Sequence, residues 1–356
     1  MKAAVIYDQE DLRIEEVPTP TAEPGKVILE GGFNGICGSD LHFYYEPEET
    51  AAPTGWKLHE PAELTGAQWP QIFGHEFSGT VTAVGEGVSK VKVGDDVAVF
   101  PYHFCGRCEA CLSGRPNLCE RMAFEGIQGR SGGMAEVKIV DEDMCFVLPE
   151  GISLELGALV EPMAVAFHGV MQSKPQDAKC ALVLGGGPIG VGAFFALRSL
   201  GIEHIIVSEP SADRRETLAR IGVEHLIDPV SQSVPEAVRE INGGVGSDVV
   251  IDCAGAPVAF QGAVDALKMG GRLVVIAGYA KPVTFNPGTL GGSKSISNSM
   301  TYTPEDFQHV LDGMAAGNYT TEGGWISKIG LDDVESAIHQ LRTGSGMKIL
   351  VDVSAS

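Results

Sequence analysis

The stretch Leu182–Gly190, LVLGGGPIG, decides how the second half of the chain folds. An apolar run enters Gly185, Gly187 and Gly190, spaced G-x-G-x-x-G around Pro188 and Ile189, and the helical pattern PIGVGAFFALRSLG follows. The first glycine allows a tight strand-to-helix turn, and the second lets a pyrophosphate approach the backbone. The third lets helix and strand pack closely. The helix N-terminus then points its free N–H groups at the phosphates.

From Lys179 onward, short apolar runs alternate with helical patterns: ALVLG, HIIVSEP, HLIDP, DVVIDCAG and RLVVIAG, with helices between. Uninterrupted Val/Ile/Leu runs are what strands buried on both faces look like. Their alternation with helices predicts βαβ units in a doubly wound parallel sheet, and hence an α/β protein. Glu209 closes HIIVSEP nineteen positions after Gly190, where a carboxylate can bind both ribose hydroxyls and repel a 2′-phosphate. That favours NAD over NADP, although Arg214 and Arg215 stand near enough to receive a phosphate. Ala254, Ala277 and Gly278 follow the later strands and complete the expected dinucleotide-binding set.

Upstream, roughly the first 150 residues carry short β signals (KAAVIY, KVILEGGF, EFSGTVTAVG, DDVAVF, MAEVKIV) separated by Gly and Pro turns. They predict a mainly antiparallel, barrel-like domain. After about Asn286 the repeat stops; two helical patterns and the strand MKILVDV close the chain and are expected to rejoin the first domain. The expected domains are thus 1–155 with 295–356, and 156–294. Residues 46–71 are polar, Pro-rich and aperiodic, and read as a long surface loop. With 25 Lys+Arg against 47 Asp+Glu the net charge is −22, which disfavours nucleic acid and anionic membranes as partners. The opening twenty residues have no signal-peptide pattern and no run is long enough to span a bilayer, so a reducing, cytoplasmic setting is expected.

In that setting clustered cysteines point to metal. Cys105, Cys108, Cys111 and Cys119, spaced C-x2-C-x2-C-x7-C among charged residues, can wrap one tetrahedral zinc. Four thiolates leave no vacant position, so this centre is expected to be structural. A catalytic centre needs an open position. Cys37 in GICGSDLH, His75 and Glu76 in FGHEFSG, and Glu161 in LVEPMAVAFHG are candidates. No spacing rule links position 37 to position 75, and each residue alone also reads as buried packing.

MKAAVIY, GICGSDLH, GHEFSGTVTAVGEGV, VKVGDDVAV, the four-cysteine stretch, GGMAEV, LVEPMAVAFHG, VLGGGPIG and GMKILVDV occur in an order that resembles the zinc-containing medium-chain alcohol and polyol dehydrogenases. The likeness spans essentially the whole chain and is greatest to the 2,3-butanediol dehydrogenase branch, with sorbitol/xylitol dehydrogenases next. It implies a GroES-like catalytic domain, a Rossmann domain, and two zinc ions per chain. Cys37, His75 and Glu76 would hold the catalytic zinc, Glu161 would join directly or through water, and the four cysteines would hold the structural one. Ser39 and His42 would relay the proton. Phe43, Tyr44, Trp56, Phe124 and Glu125 would wall the substrate, and Tyr279 and residues 298–300 would flank the nicotinamide. The implied activity is NAD-linked oxidation of a secondary alcohol or vicinal diol by a homodimer or homotetramer. Polyol or threonine-type oxidation, ketone reduction and a non-catalytic NAD-binding redox sensor are the alternatives.

Overall fold

The computed structural model describes residues 1–51, 55–130 and 132–354. The chain divides into two compact units. One comprises Met1–Glu161, Thr303–Ala315 and Ile326–Ser356; the other comprises Pro162–Tyr302 and Ala316–Trp325.

The second unit is built on six parallel strands. Their spatial order is His225–Ile227, His204–Ser208, Cys180–Leu184, Ser247–Asp252, Leu267–Val275 and Ser295–Asn298. The order steps outward in both directions from Cys180–Leu184, which is the doubly wound arrangement. That central strand is buried at every position, as its unbroken apolar run requires. The sheet runs past the expected boundary at residue 294. Its last strand, Ser295–Asn298, is a mostly exposed edge and reads SISN, so it lacks the apolar run that marks the others.

In the first unit a curled sheet orders the strands Val137–Asp141, Lys26–Glu30, Glu76–Val84, Phe33–Gly35, Lys348–Asp352 and Ile326–Gly330. Asp96–Val99 pairs with Glu76–Val84, and Cys145–Val147 pairs with Asp96–Val99. All these pairs are antiparallel except the last two strands of the order. The closing strand therefore enters the middle of a sheet begun more than three hundred residues earlier. The stretch 46–71 is not simply a surface loop. It opens with the short helix Pro47–Ala51 and buries Leu58 and Trp69 in one apolar cluster with Phe43, Phe73 and Ile338. Residues 52–54 of that stretch lie outside the described residues.

At the Gly-rich turn, Gly185 has φ +88° and its carbonyl oxygen lies where a Cβ on Gly190 would stand. Gly190→Ala is expected to push the helix Pro188–Ser199 off its strand. Overpacking of this kind costs about 1–3 kcal/mol, readable as a lower urea midpoint and weaker dinucleotide binding.

Candidate active site

Cys37, His75 and Glu76 are assembled by a three-strand ladder. Phe33–Gly35 pairs on one side with Glu76–Val84, Gly35 opposite Glu76, and on the other with Lys348–Asp352, Gly35 opposite Leu350. Two residues past Gly35, Cys37 stands at the N-terminus of the helix Gly38–Tyr45. The ligand atoms of Cys37, His75 and Glu76 lie within 4.8 Å of one another. His75 and Glu76 are buried, whereas Cys37 is half-open. A thiolate, an imidazole and a carboxylate converging with one partly open side form a donor set suited to zinc that retains a position for substrate.

The electrostatics fit a cation. Asp40 is completely buried; its Oδ2 accepts the Cys37 N–H at 2.8 Å, and its Oδ1 stands 3.2 Å from His75 Nδ1, not aligned as a hydrogen bond. Burial opposes a charge on His75, but Asp40 and then Cys37 outweigh it and raise the imidazole pKa well above its ordinary value. Lys348 is likewise buried, and its ammonium contacts Glu76 Oε2 and donates to the Ile36 carbonyl at 3.0 Å. Burial opposes that charge too, yet Glu76, Cys37 and Glu161 raise its pKa. Sequence reasoning missed both Asp40 and Lys348. An acid three residues after Cys37 in a helical first turn, and a lysine inside the apolar run KILVD, were the available signals.

Glu161 is buried in the first turn of the helix Val160–Gln172 but lies outside the three-donor set; the Tyr102 hydroxyl hydrogen-bonds to it. Ser39 Oγ is 3.1 Å from Cys37 Sγ and 3.5 Å from His75 Nε2. His42 follows one turn later on the same helix, exposed, and among the described residues no hydrogen bond joins it to Ser39.

An aromatic wall adjoins the donors. Phe124 packs edge-on to His75 at 5.2 Å between ring centroids and to Phe43 at 6.3 Å, and Tyr102 lies 5.8 Å from Phe124. Tyr44 faces elsewhere: it is buried and its hydroxyl donates to Glu335 at 2.7 Å. Trp56 turns its indole N–H to the Glu60 carbonyl, and Glu125 pairs with His103 at 2.7 Å.

The four clustered cysteines also converge, their sulfurs within 4.8 Å. Cys105 Sγ accepts the Cys108 N–H, and Cys119 Sγ accepts the Cys105 N–H, each at 3.3 Å. Hydrogen bonding from the Arg107 N–H brings the Cys105 thiol down to about 6, while burial pushes Cys111 up to about 12. Backbone N–H groups aimed at sulfur favour thiolates, and a closed tetrahedral S4 set suits structural zinc.

In the second unit a cavity of about 630 Å³ opens beside the Gly-rich turn. Gly185, Gly187, Glu209, Arg214 and Ala254 line it. No atom lies within 4 Å of where a Gly187 Cβ would be, so the backbone there is open to close approach. Glu209 Oε2 accepts the Gly186 N–H at 2.7 Å and Oε1 accepts the Ser211 N–H at 2.8 Å, so the carboxylate is held at the cavity wall. The exposed apolar side chains Val230 and Val258 stand at its rim. Pro188, Ile189 and Gly190 shape the turn and helix start without lining the cavity. Ala277 and Gly278 pack against the Gly255 turn. Tyr279 turns its hydroxyl to Asp252, and Arg215 is engaged by Asp228 and by the carbonyls of Glu209 and Pro210.

Residues 23–150 match the alcohol dehydrogenase GroES-like domain, and residues 188–316 match the zinc-binding dehydrogenase domain. The chain is 36% identical to (R,R)-butanediol dehydrogenase of Bacillus subtilis, over 99% of both chains. The chain belongs to the zinc-binding alcohol dehydrogenase family. It is also 35% identical to sorbitol dehydrogenase of Bacillus subtilis, over 78% of this chain and 74% of that enzyme. The crystal structure of 2R,3R-butanediol dehydrogenase from Bacillus subtilis superposes with a TM-score of 0.87 at 35% identity, covering 99% of each chain. The family's GroES-like and doubly wound architectures are the ones described above. Among the described residues no helix is long and apolar enough to cross a membrane.

Asp40 touches both Cys37 and His75 without belonging to the donor set. Asp40→Asn is expected to weaken metal binding there by about 10–100-fold, as for other groups that orient metal ligands. Competition with a chelator while the four-cysteine zinc stays bound measures this; unchanged affinity would remove Asp40 from the site.

Proposed function

We propose that this protein oxidises a small secondary alcohol, a vicinal diol of the 2,3-butanediol type, to the hydroxy-ketone with NAD, and runs the reverse on acetoin-like ketones. The convergence of Cys37, His75 and Glu76 with one side partly open carries the reading. A non-catalytic nucleotide sensor has no need of a buried mixed-donor set. When bound there, zinc supplies a Lewis acid for the substrate oxygen, and NAD supplies the hydride acceptor.

The chain's own residues do the rest. Cys37, His75 and Glu76 hold the metal, Asp40 fixes the first two, and Glu161 with its Tyr102 partner stands next to them. Ser39, within 3.5 Å of two donors, accepts the proton of the substrate hydroxyl, and His42 on the next helical turn passes it towards solvent. With the bound dinucleotide as hydride acceptor, the balance would be alcohol and NAD+ to ketone, NADH and one proton. Phe124, packed on His75 and backed by Phe43, presents an apolar wall to the substrate carbons. That wall favours a short, methyl-bearing diol over a long polyol, although likeness to a sorbitol dehydrogenase makes polyols the second reading.

In the other unit, Gly185 and Gly187 would admit the pyrophosphate, Glu209 would receive the ribose hydroxyls, and the apolar rim of Val230 and Val258 would suit the adenine. Arg214, on the same wall, is a feature that would favour a 2′-phosphate. The four cysteines hold the structural zinc. We further read the protein as cytoplasmic, where thiolates stay reduced, and as a homodimer or homotetramer.

The test is NAD-linked kinetics in both directions over stereoisomers of 2,3-butanediol, acetoin, sorbitol, xylitol and threonine. Highest kcat/KM on a butanediol isomer and acetoin is expected; a preference for sorbitol or xylitol would transfer the assignment to polyols. Cys37→Ala should reduce turnover to background and remove one zinc per chain while leaving the fold intact. Cys108→Ser should instead lower the Tm, and loss of activity at unchanged Tm would contradict a structural lobe. Glu209→Ala should raise the KM for NAD at least tenfold, about 1.4 kcal/mol, and narrow the NAD/NADP ratio. An unchanged ratio would argue against the ribose contact.

A further inference from the structure

Lys348 is a buried lysine that neither the proton relay nor the metal donors account for. It comes from the last strand, and its ammonium is fixed by two acceptors: Glu76 Oε2, and the carbonyl of Ile36, the residue before Cys37. Gly35 makes room for this pairing, because a Cβ at that position would overlap Glu76 Oε2 and stand 2.8–2.9 Å from the end of Lys348. Asp40 and Glu161, both buried, add negative charge nearby, and Cys37 is a thiolate whenever it binds metal.

An ammonium and a dication placed against one carboxylate compete for it and repel each other, the more strongly in a buried site. A Glu76 oxygen engaged by Lys348 is therefore a weaker metal donor than a free one. We infer that Lys348 is a positioning residue that restrains Glu76, keeping it an exchangeable donor to the metal held by Cys37 and His75. The inference rests on the proposed catalytic metal site.

A thermodynamic cycle separates this from a merely structural role. Without Lys348, the metal-free site leaves the buried Glu76 carboxylate without its ammonium partner, a costly arrangement. The metal-loaded site gives Glu76 a cation. Removing the ammonium thus destabilises the metal-free protein more than the loaded one, and by linkage tightens metal binding. A lysine that only supported packing would destabilise both forms alike and leave metal release unchanged or faster.

The experiment compares wild type, K348M, K348R and E76Q/K348M by zinc content, rate of zinc release to EDTA, Tm with and without zinc, the absorption spectrum of the cobalt-substituted protein, and kcat and KM. K348M is expected to release the second zinc at least tenfold more slowly, with a wider Tm gap between loaded and stripped forms. Its cobalt spectrum should change and its kcat should fall more than its KM rises. K348R should restore wild-type behaviour, and in the E76Q background the lysine change should not alter release. Release from K348M as fast as wild type or faster overturns the inference, as does slow release that persists in E76Q/K348M. Should K348M fail to fold, E76Q/K348M decides. Recovered folding with the release rate of E76Q supports the pairing, and a double variant that is also unfolded overturns it. A wild-type protein holding only one zinc per chain would overturn the catalytic site and this inference together, whereas two zincs with an indifferent K348M would overturn the inference alone.

Discussion

The active centre depends on a missing side chain. Gly35 sits in the middle strand of three, with Glu76 opposite on one side and the closing strand on the other. Because it has no Cβ, the Glu76 carboxylate and the Lys348 ammonium can meet across it in the protein interior. A buried ion pair stabilises little by itself, since desolvation offsets most of the attraction, yet losing one partner is expensive. The pair therefore acts as a lock on geometry. It fixes how the strand that starts at Glu76, just after His75, lies against the strand that delivers Cys37, and so sets the distances among the three donors.

The two candidate metal centres show what a linear sequence reveals and what it hides. The four-cysteine lobe lies within fifteen residues, so spacing alone announces it. Its closed donor count also suits it to a structural role. The open centre draws on positions 37, 75 and 76, with support from 40 and 348. Only strand pairing brings these together, and strand register is not written in local spacing. Resemblance to a family supplied the donors, but not Asp40 or Lys348, which matter through contacts with other side chains. Tyr44 and Phe43 make the same point. Adjacent on one helix, they face different neighbours, one towards Glu335 and the other towards the aromatic wall beside His75.

The parallel sheet was legible because its strands are buried on both faces, which forces continuous apolar runs. The exception is Ser295–Asn298, whose side chains are mostly exposed. With only one neighbour and little burial, polar residues suffice, and the boundary drawn where apolar runs stop falls one strand short. The stretch 46–71 misled in the opposite way. Its Pro and Glu content reads as solvent-exposed, while two isolated apolar side chains, Leu58 and Trp69, anchor it in the core. Periodicity cannot register anchors spaced eleven residues apart.

Nucleotide choice follows from how Glu209 is held. Both carboxylate oxygens already accept backbone N–H groups, from Gly186 and Ser211, so the charge is fixed at the cavity wall before any ribose arrives. Oxygen lone pairs remain to accept from two ribose hydroxyls. A 2′-phosphate offers no hydrogen to donate and brings like charge to a carboxylate that the turn prevents from swinging aside. Of the two arginines that follow, Arg215 is committed to Asp228 and two carbonyls, while Arg214 lines the cavity wall. A carboxylate anchored by two amides at that wall is the physical ground for the proposed preference for NAD, which rests on electrostatics built into the turn and not on the size of the cavity.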